Sequence, residues 1–326
     1  MLRGARHWCP SGLVIVESDE LERALSRLAE RVPDRRAGLF GPGSWMWTLS
    51  REGVVFLGGP RAALLQLAHP VVAQAVTEHS RATEDTFGRF LRTFEHVFAM
   101  VYGDLESAFA SARRVHRLHA RVRGAMPQTT GSIAAGTRYE ANTPEVLLWI
   151  HATLLETTVE IYEQMVRPLS DDEKDAYYAE TKRFAALFGI PDALIPPDWR
   201  AFEAYWRRML ASPEITVSDA ARRLARSLLR PPDTWIGPAW DWLRAITARL
   251  MPPRQREDFG LAFGSVEQAI AESSLGVLRA GWWLLPGSVR WLPAYRNAMR
   301  RIEGRAGCDP MGSMLDQAVR LTIGRR

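Results

Sequence analysis

Apolar residues recur every three to four positions along almost the whole chain, and this helical period constrains the fold more than any other feature of the sequence. It predicts a short first helix at about 20–33, then helices at roughly 60–79, 87–102, 104–124, 144–166, 171–188, 198–211, 216–230, 238–249, 254–277 and 308–323. Asp104, Ser170 and Ser218 stand where N-caps belong, and Gly103 and Gly189 where helices stop. Residues 51–58 and 136–139 read as short strands of one hairpin, and residues 40–47 as a turn. The turn lacks the spacing of a dinucleotide or phosphate-binding loop, and no strand–helix alternation follows it, which disfavours a Rossmann fold. The expected architecture is all-α, a single large multi-helix domain with at most one small hairpin. An N-terminal extension with a short helix (1–37) would precede the main domain (38–300), and a C-terminal helix (301–326) would pack on it.

A chain of 326 residues, 47% apolar and 24% charged, has the composition of a folded protein with a large core. Its net charge of +5 is carried by arginine, since Lys174 and Lys182 are the only lysines. The arginines are scattered among acids rather than gathered on one face, so nucleic acid is not an expected partner. Cys9 and Cys308 are too few and too far apart for a zinc cluster or disulfide scaffold, which favours a reducing compartment. The start lacks an apolar signal run, and no stretch reaches 18 uncharged apolar residues. A cytoplasmic protein without a spanning segment is expected, with peripheral membrane attachment left open. Residues 275–293, with Trp282, Trp283 and Trp291, are broken by Arg279, Pro286 and Arg290. They are expected to bury against the chain or against a partner in a homodimer.

All seven histidines lie in the first half: His7, His69, His79, His96, His116, His119 and His151. Imidazole serves both as metal ligand and as proton carrier near neutral pH. Arg89, Arg92, Thr93 and His96 share one face of a predicted helix, and His116, His119 and Arg123 share a face of the next. Such stripes also arise as solvated or salt-bridged helix faces. There is no HExxH zinc motif and no CxxCH haem-attachment motif, so noncovalent haem and ordinary hydrogen-bonded histidines both stay open.

An ordered set of motifs narrows this. His69-Pro70 is followed by His79-Ser80, then Arg89-Phe90-Leu91-Arg92-Thr93 before Val101-Tyr102-Gly103. His119-Ala120-Arg121-Val122-Arg123-Gly124 comes next, and Tyr139-Glu140-Ala141-Asn142-Thr143-Pro144 leads into Trp149-Ile150-His151-Ala152-Thr153. Over about residues 38–300 the chain resembles the ER-bound oxygenase and latex-clearing (rubber oxygenase) catalytic domain family. The resemblance implies a globin-like helical core around haem b, with His119 as the proximal iron ligand. Arg89, Arg92 and Thr93 would form the catalytic, distal side, with Arg92 standing where a rubber oxygenase has lysine. His116, Arg123 and His151 complete the candidate cofactor contacts, while the family's distal glutamate has only Glu78 and Glu84 as nearby candidates. The implied activity is a haem b-dependent oxygenase that activates dioxygen or peroxide to oxidise an apolar or amphipathic small molecule, with electrons from the substrate or from an external donor. The competing expectations are a non-catalytic haem-binding sensor or carrier and a cofactor-free helical interaction protein.

Overall fold

The computed structural model describes residues 14–79, 86–230, 237–305 and 307, with backbone alone over 86–92. Helix α1 (Ser18–Glu30) begins at a reciprocal cap between Glu17 and Glu20 and buries Leu21, Leu25 and Leu28. After glycines with φ near +85° at Gly41 and Gly43, Ser44 caps α2 (Trp45–Ser50) by accepting from the Trp47 amide, so the expected turn runs directly into a helix. A 3-10 turn, Gly53–Gly58, leads into α3 (Gly59–Leu67) and α4 (Pro70–His79). The single helix expected at 60–79 is therefore two, broken where Pro70 disfavours helical backbone at His69. Helix α5 (Thr86–Tyr102) and α6 (Leu105–His119) follow, the latter capped by Asp104.

Two expectations about strands are corrected here. Residues 53–58 form a 3-10 turn and not a strand, because the turn lies directly on the long helix Pro144–Met165: a Cβ at Gly58 would come within 2.4 Å of Thr157 Cγ2 and 2.8 Å of Ile161 Cγ1. The hairpin exists, but its strands are β1 (Arg123–Ala125) and β2 (Arg138–Glu140), antiparallel with Arg123 opposite Glu140. Residues 123–125 thus leave the helix expected to run to 124.

The centre of the fold is α7 (Pro144–Met165), which packs against the 3-10 turn, α2, α3 and α8 and is buried on almost every side. Trp149 stacks on Trp206 with centroids 5.2 Å apart and donates its indole N–H to the Leu65 carbonyl at 3.0 Å. Around α7 stand α8 (Asp171–Ala186), with its Ser170–Glu173 capping box, α9 (Trp199–Ala211) and α10 (Asp219–Leu229), capped by Ser218. Then come α11 (Gly237–Leu250), α12 (Pro253–Asp258), α13 (Ser265–Trp282), α14 (Gly287–Arg290) and α15 (Pro293–Ile302). The helix expected over 254–277 is interrupted at Gly260, whose φ of 66° ends α12. The helix expected at 308–323 lies outside the described residues.

The tryptophan-rich segment is only partly buried. Trp282 packs inside and donates to Glu52 Oε2 at 2.9 Å, and Arg290 Nε lies 3.1 Å from the same oxygen. Trp283 gives its N–H to the Val166 carbonyl but stays half exposed, and Leu284 is 85% exposed. Within the chain, then, Trp282 is buried and Trp291 partly buried against the core, while Trp283 and Leu284 are not covered by it. Among the described residues no helix is long and apolar enough to cross a membrane.

Candidate active site

Helices α2, α3, α5, α7 and α8 and the 3-10 turn line a half-open cavity of about 110 Å³, and the empty space counting its open mouth is about 800 Å³. One wall is aromatic. Phe56 meets Phe94 and Phe98 at centroid distances of 4.9 and 5.5 Å, and Phe98 meets Tyr102 at 6.2 Å. Positions 94, 97, 98 and 101 fall on one side of α5 because they are spaced by three and four, so that helix offers the cavity an apolar face. Gly58 and Gly59 let the backbone itself form part of the lining.

His151 projects from α7 into this space. Neither of its ring nitrogens has a hydrogen-bond partner among the described residues, although the side chain is buried. Burial pulls its pKa down to about 4, so the ring is neutral at physiological pH and keeps a free lone pair. The ring is held by stacking on Phe184, 6.0 Å away at 26°. An orphaned buried polar group costs about 1–3 kcal/mol, which is why such groups are rare and call for a ligand or a function.

The other polar side chains of the cavity are mostly committed. Ser50 Oγ donates to the Met46 carbonyl, and Tyr102 lies 2.8 Å from Ser50 Oγ, so the phenol donates there. Thr158 donates to the Leu154 carbonyl and Thr181 to the Tyr178 carbonyl. Burial pushes the Tyr102 and Tyr177 phenols well above the ordinary tyrosine range, so neither ionises near neutrality.

The remaining candidates whose side chains are described lie apart from this chamber. His119 ends α6, half-buried, and does not line the cavity. His116 is buried on α6, where its Nε2 donates to the Val16 carbonyl at 2.8 Å and its own carbonyl accepts from Asn142 Nδ2. That pair ties the segment before α1 to α6. Arg123 is exposed at the start of β1, and its carbonyl accepts from His79 Nε2 at 3.0 Å. On α5, Thr93 is exposed and His96 Nδ1 meets Ser111 Oγ of α6 at 3.0 Å, so this part of the stripe is turned from the cavity wall. Arg89 and Arg92 lie on α5, in the stretch where only the backbone is described. Glu78 accepts from the Tyr139 hydroxyl and from Gln74 Nε2, the latter at 2.6 Å. Glu84 lies outside the described residues.

Of the five site residues whose side chains are described, His151 alone lines the cavity. Phe56, Phe94, Phe98 and Tyr102, which make its wall, belong to the same helical period that gave the fold, and only their convergence on His151 sets them apart from ordinary core.

Comparison with known proteins identifies the lineage. The ER-bound oxygenase mpaB/B'/rubber oxygenase catalytic domain matches residues 46–285, most of the chain and every cavity-lining element. The chain belongs to that family. Two uncharacterized proteins, from Mycobacterium bovis and Mycobacterium tuberculosis, are each 29% identical over 191 residues, covering 54% of this chain and 71% of theirs. No solved structure matches significantly. For a member of an oxygenase catalytic domain family, the buried chamber with an unpartnered imidazole lies inside the matched region, on helices contributed from both its N-terminal and its central parts.

Proposed function

We propose that this protein is a haem-dependent oxygenase of an apolar or amphipathic small molecule, and that the cavity at His151 is its reaction chamber. The observation that carries this reading is the His151 imidazole, neutral, buried and without a partner for either nitrogen among the described residues. Its donor chemistry fits iron, for which neutral imidazole is a common ligand. The cavity of about 110 Å³ is smaller than one of about 150 Å³ known to take benzene, so room for a porphyrin exists only when the open mouth is counted. His119 is the ligand implied by resemblance, but it sits away from the chamber and already has an interaction. His151 would therefore be the residue that holds the iron, with Phe184 orienting its ring in place of the hydrogen-bonded partner usual for a ligating histidine.

Haem, when bound, supplies the activation of dioxygen or peroxide. The protein's own contribution is to bind and to exclude water. The Phe56, Phe94 and Phe98 wall holds an apolar substrate by burying its surface, at about 25 cal/mol per Å² removed from water. Among the described residues the inward side chains bring no formal charge, so a charged substrate finds no partner in them to offset its desolvation cost. Resemblance implies a distal, catalytic role for Arg89, Arg92 and Thr93, but Thr93 is turned from this chamber and only the backbone is described at 89 and 92, so that role forms no part of the chamber reading.

The test is the absorption spectrum and the haem-to-protein ratio of the purified protein, before and after incubation with haemin, followed by oxygen uptake with added reductant. A Soret band at one haem per chain and substrate-dependent oxygen uptake are expected. A protein that stays colourless after haemin incubation overturns the reading.

A further inference from the structure

The chamber is apolar, yet one hydroxyl in it is built differently from the others. Ser50, Tyr102, Thr158 and Thr181 each direct their proton to an acceptor of the protein itself, and Tyr177 is engaged with Thr158. Thr157 is reversed. Its Oγ1 accepts a hydrogen bond from Arg61 Nη1, and a guanidinium can only donate. The Thr157 proton must therefore go elsewhere, and no acceptor for it is present among the described residues. The neighbouring threonine Thr158 uses the carbonyl four residues back, which Thr157 does not.

Arg61 is fixed for this purpose on every side. Its Nε donates to the Leu250 carbonyl at 2.8 Å, and the guanidinium grips both oxygens of Glu156 at 2.5 and 3.0 Å. Its side chain is 3% exposed. The guanidinium cannot turn to free the Thr157 oxygen without breaking the buried pair. Thr157 is thus a chamber-lining residue whose hydroxyl accepts from a buried cation and whose own proton has no acceptor among the described residues.

We propose that Thr157, held by Arg61, is the polar anchor of the chamber, and that the ligand it selects is a small uncharged molecule bearing a hydrogen-bond acceptor oxygen, of the ketone, aldehyde or ether class, in place of a pure hydrocarbon. This rests on the reading of the cavity as the substrate chamber. A donor polarised by a cation makes a stronger hydrogen bond than a free hydroxyl, and a site built to donate discriminates against analogues that lack the acceptor. Among the described residues no charged side chain lines the chamber, which disfavours carboxylates, and at about 110 Å³ it takes less than a whole ring, so a ring-sized ligand would reach the anchor with its oxygen end and extend into the mouth.

The isosteric probes cyclohexanone and methylenecyclohexane differ only in the acceptor oxygen. Their affinities for the full chain, as purified and again after haemin loading, are measured by ligand-observed NMR. The carbonyl stretch of bound cyclohexanone is read by infrared difference spectroscopy. The expected result is a bound carbonyl shifted to lower wavenumber than in hexane. The ratio of ketone to hydrocarbon affinity should fall about fivefold in Thr157→Val and stay within about twofold of the wild type in Thr157→Ser, in keeping with the worth of one hydrogen bond. Thr157→Val leaves a guanidinium N–H unmatched, so its fold is checked by circular dichroism, and if that variant does not fold, an infrared shift that persists in His151→Leu, which removes the other unpartnered donor of the chamber, supports the anchor and its loss there overturns it. An unshifted carbonyl, or an affinity ratio unchanged in folded Thr157→Val, overturns the anchor while leaving the chamber intact. Failure of both probes to bind the wild type overturns the chamber itself.

Discussion

Replacing Arg61 by methionine should be among the most damaging single changes in the protein. Arg61 is 3% exposed and Glu156 17% exposed, and the two form a two-pronged ion pair between α3 and α7. The guanidinium also serves the Leu250 carbonyl and Thr157, and lies 6.0 Å from the Trp206 ring. Summing about 1.5–3 kcal/mol for each charge-assisted bond would overshoot, because the bonds share one group and the site relaxes. Breaking a buried pair by removing one partner costs about 3–5 kcal/mol, a large share of a typical stability of about 5–15 kcal/mol. Removing both charges, as Arg61→Met with Glu156→Leu, should recover at least about 1 kcal/mol relative to the sum of the two single changes, since no uncompensated carboxylate is left. The pH dependence has a fixed sign. Burial already holds the Glu156 carboxyl above its ordinary 4.5, and loss of Arg61 pushes it higher. The folded variant then binds a proton that the unfolded chain has released, so its deficit grows as pH rises above about 4.5 and shrinks toward that value. Urea unfolding of the three variants at several pH values measures this. A deficit under about 1 kcal/mol for Arg61→Met, or strict additivity in the double variant, would refute the reasoning.

Burial lowers His69 and His151 to about 4 each, so the unfolded chain binds protons that the folded one refuses. Stability of the haem-free protein should fall as pH drops from about 6.5 to about 4, by up to about 3 kcal/mol per histidine, and His151→Leu should flatten that fall in urea titrations. Gly58→Ala would set a Cβ 2.4 Å from Thr157 Cγ2, which forces the 3-10 turn off α7 and costs about 1–3 kcal/mol. An unchanged thermal midpoint would show that the turn is not seated there. Trp149→Ala removes a fully buried indole stacked on Trp206 and should cost about 3–5 kcal/mol, measured by the same unfolding titrations.

The helical period placed most of the fold, because amphipathic helices such as α1, α9 and α10 write their buried face directly into the sequence. It failed where tertiary contact overrode local pattern. The Val54–Val55–Phe56 run looks like a strand, yet it curls into a 3-10 turn because α7 offers it a surface and no strand offers it an edge. The site was less legible than the fold. His151 stood out by its setting in Trp149-Ile150-His151, but nothing in one dimension shows that both its nitrogens lack partners. Conversely, the spacing of His116 and Arg123 suggested a shared face, whereas His116 is bound to the Val16 carbonyl, 100 residues away in sequence, and Arg123 turns into a strand. The Arg61–Thr157 contact had no signal at all, since a lone arginine in an apolar helix cannot be paired from sequence with a threonine 96 residues on.

The axial assignment can be tested most directly by haemin titration of the wild type, His151→Ala and His119→Ala, each checked for fold by circular dichroism and read by Soret position and low-temperature electron paramagnetic resonance. The account predicts one haem per chain in the wild type, a wild-type signal in His119→Ala, and loss or a changed axial signature in His151→Ala. An unaltered spectrum and stoichiometry in folded His151→Ala would contradict it.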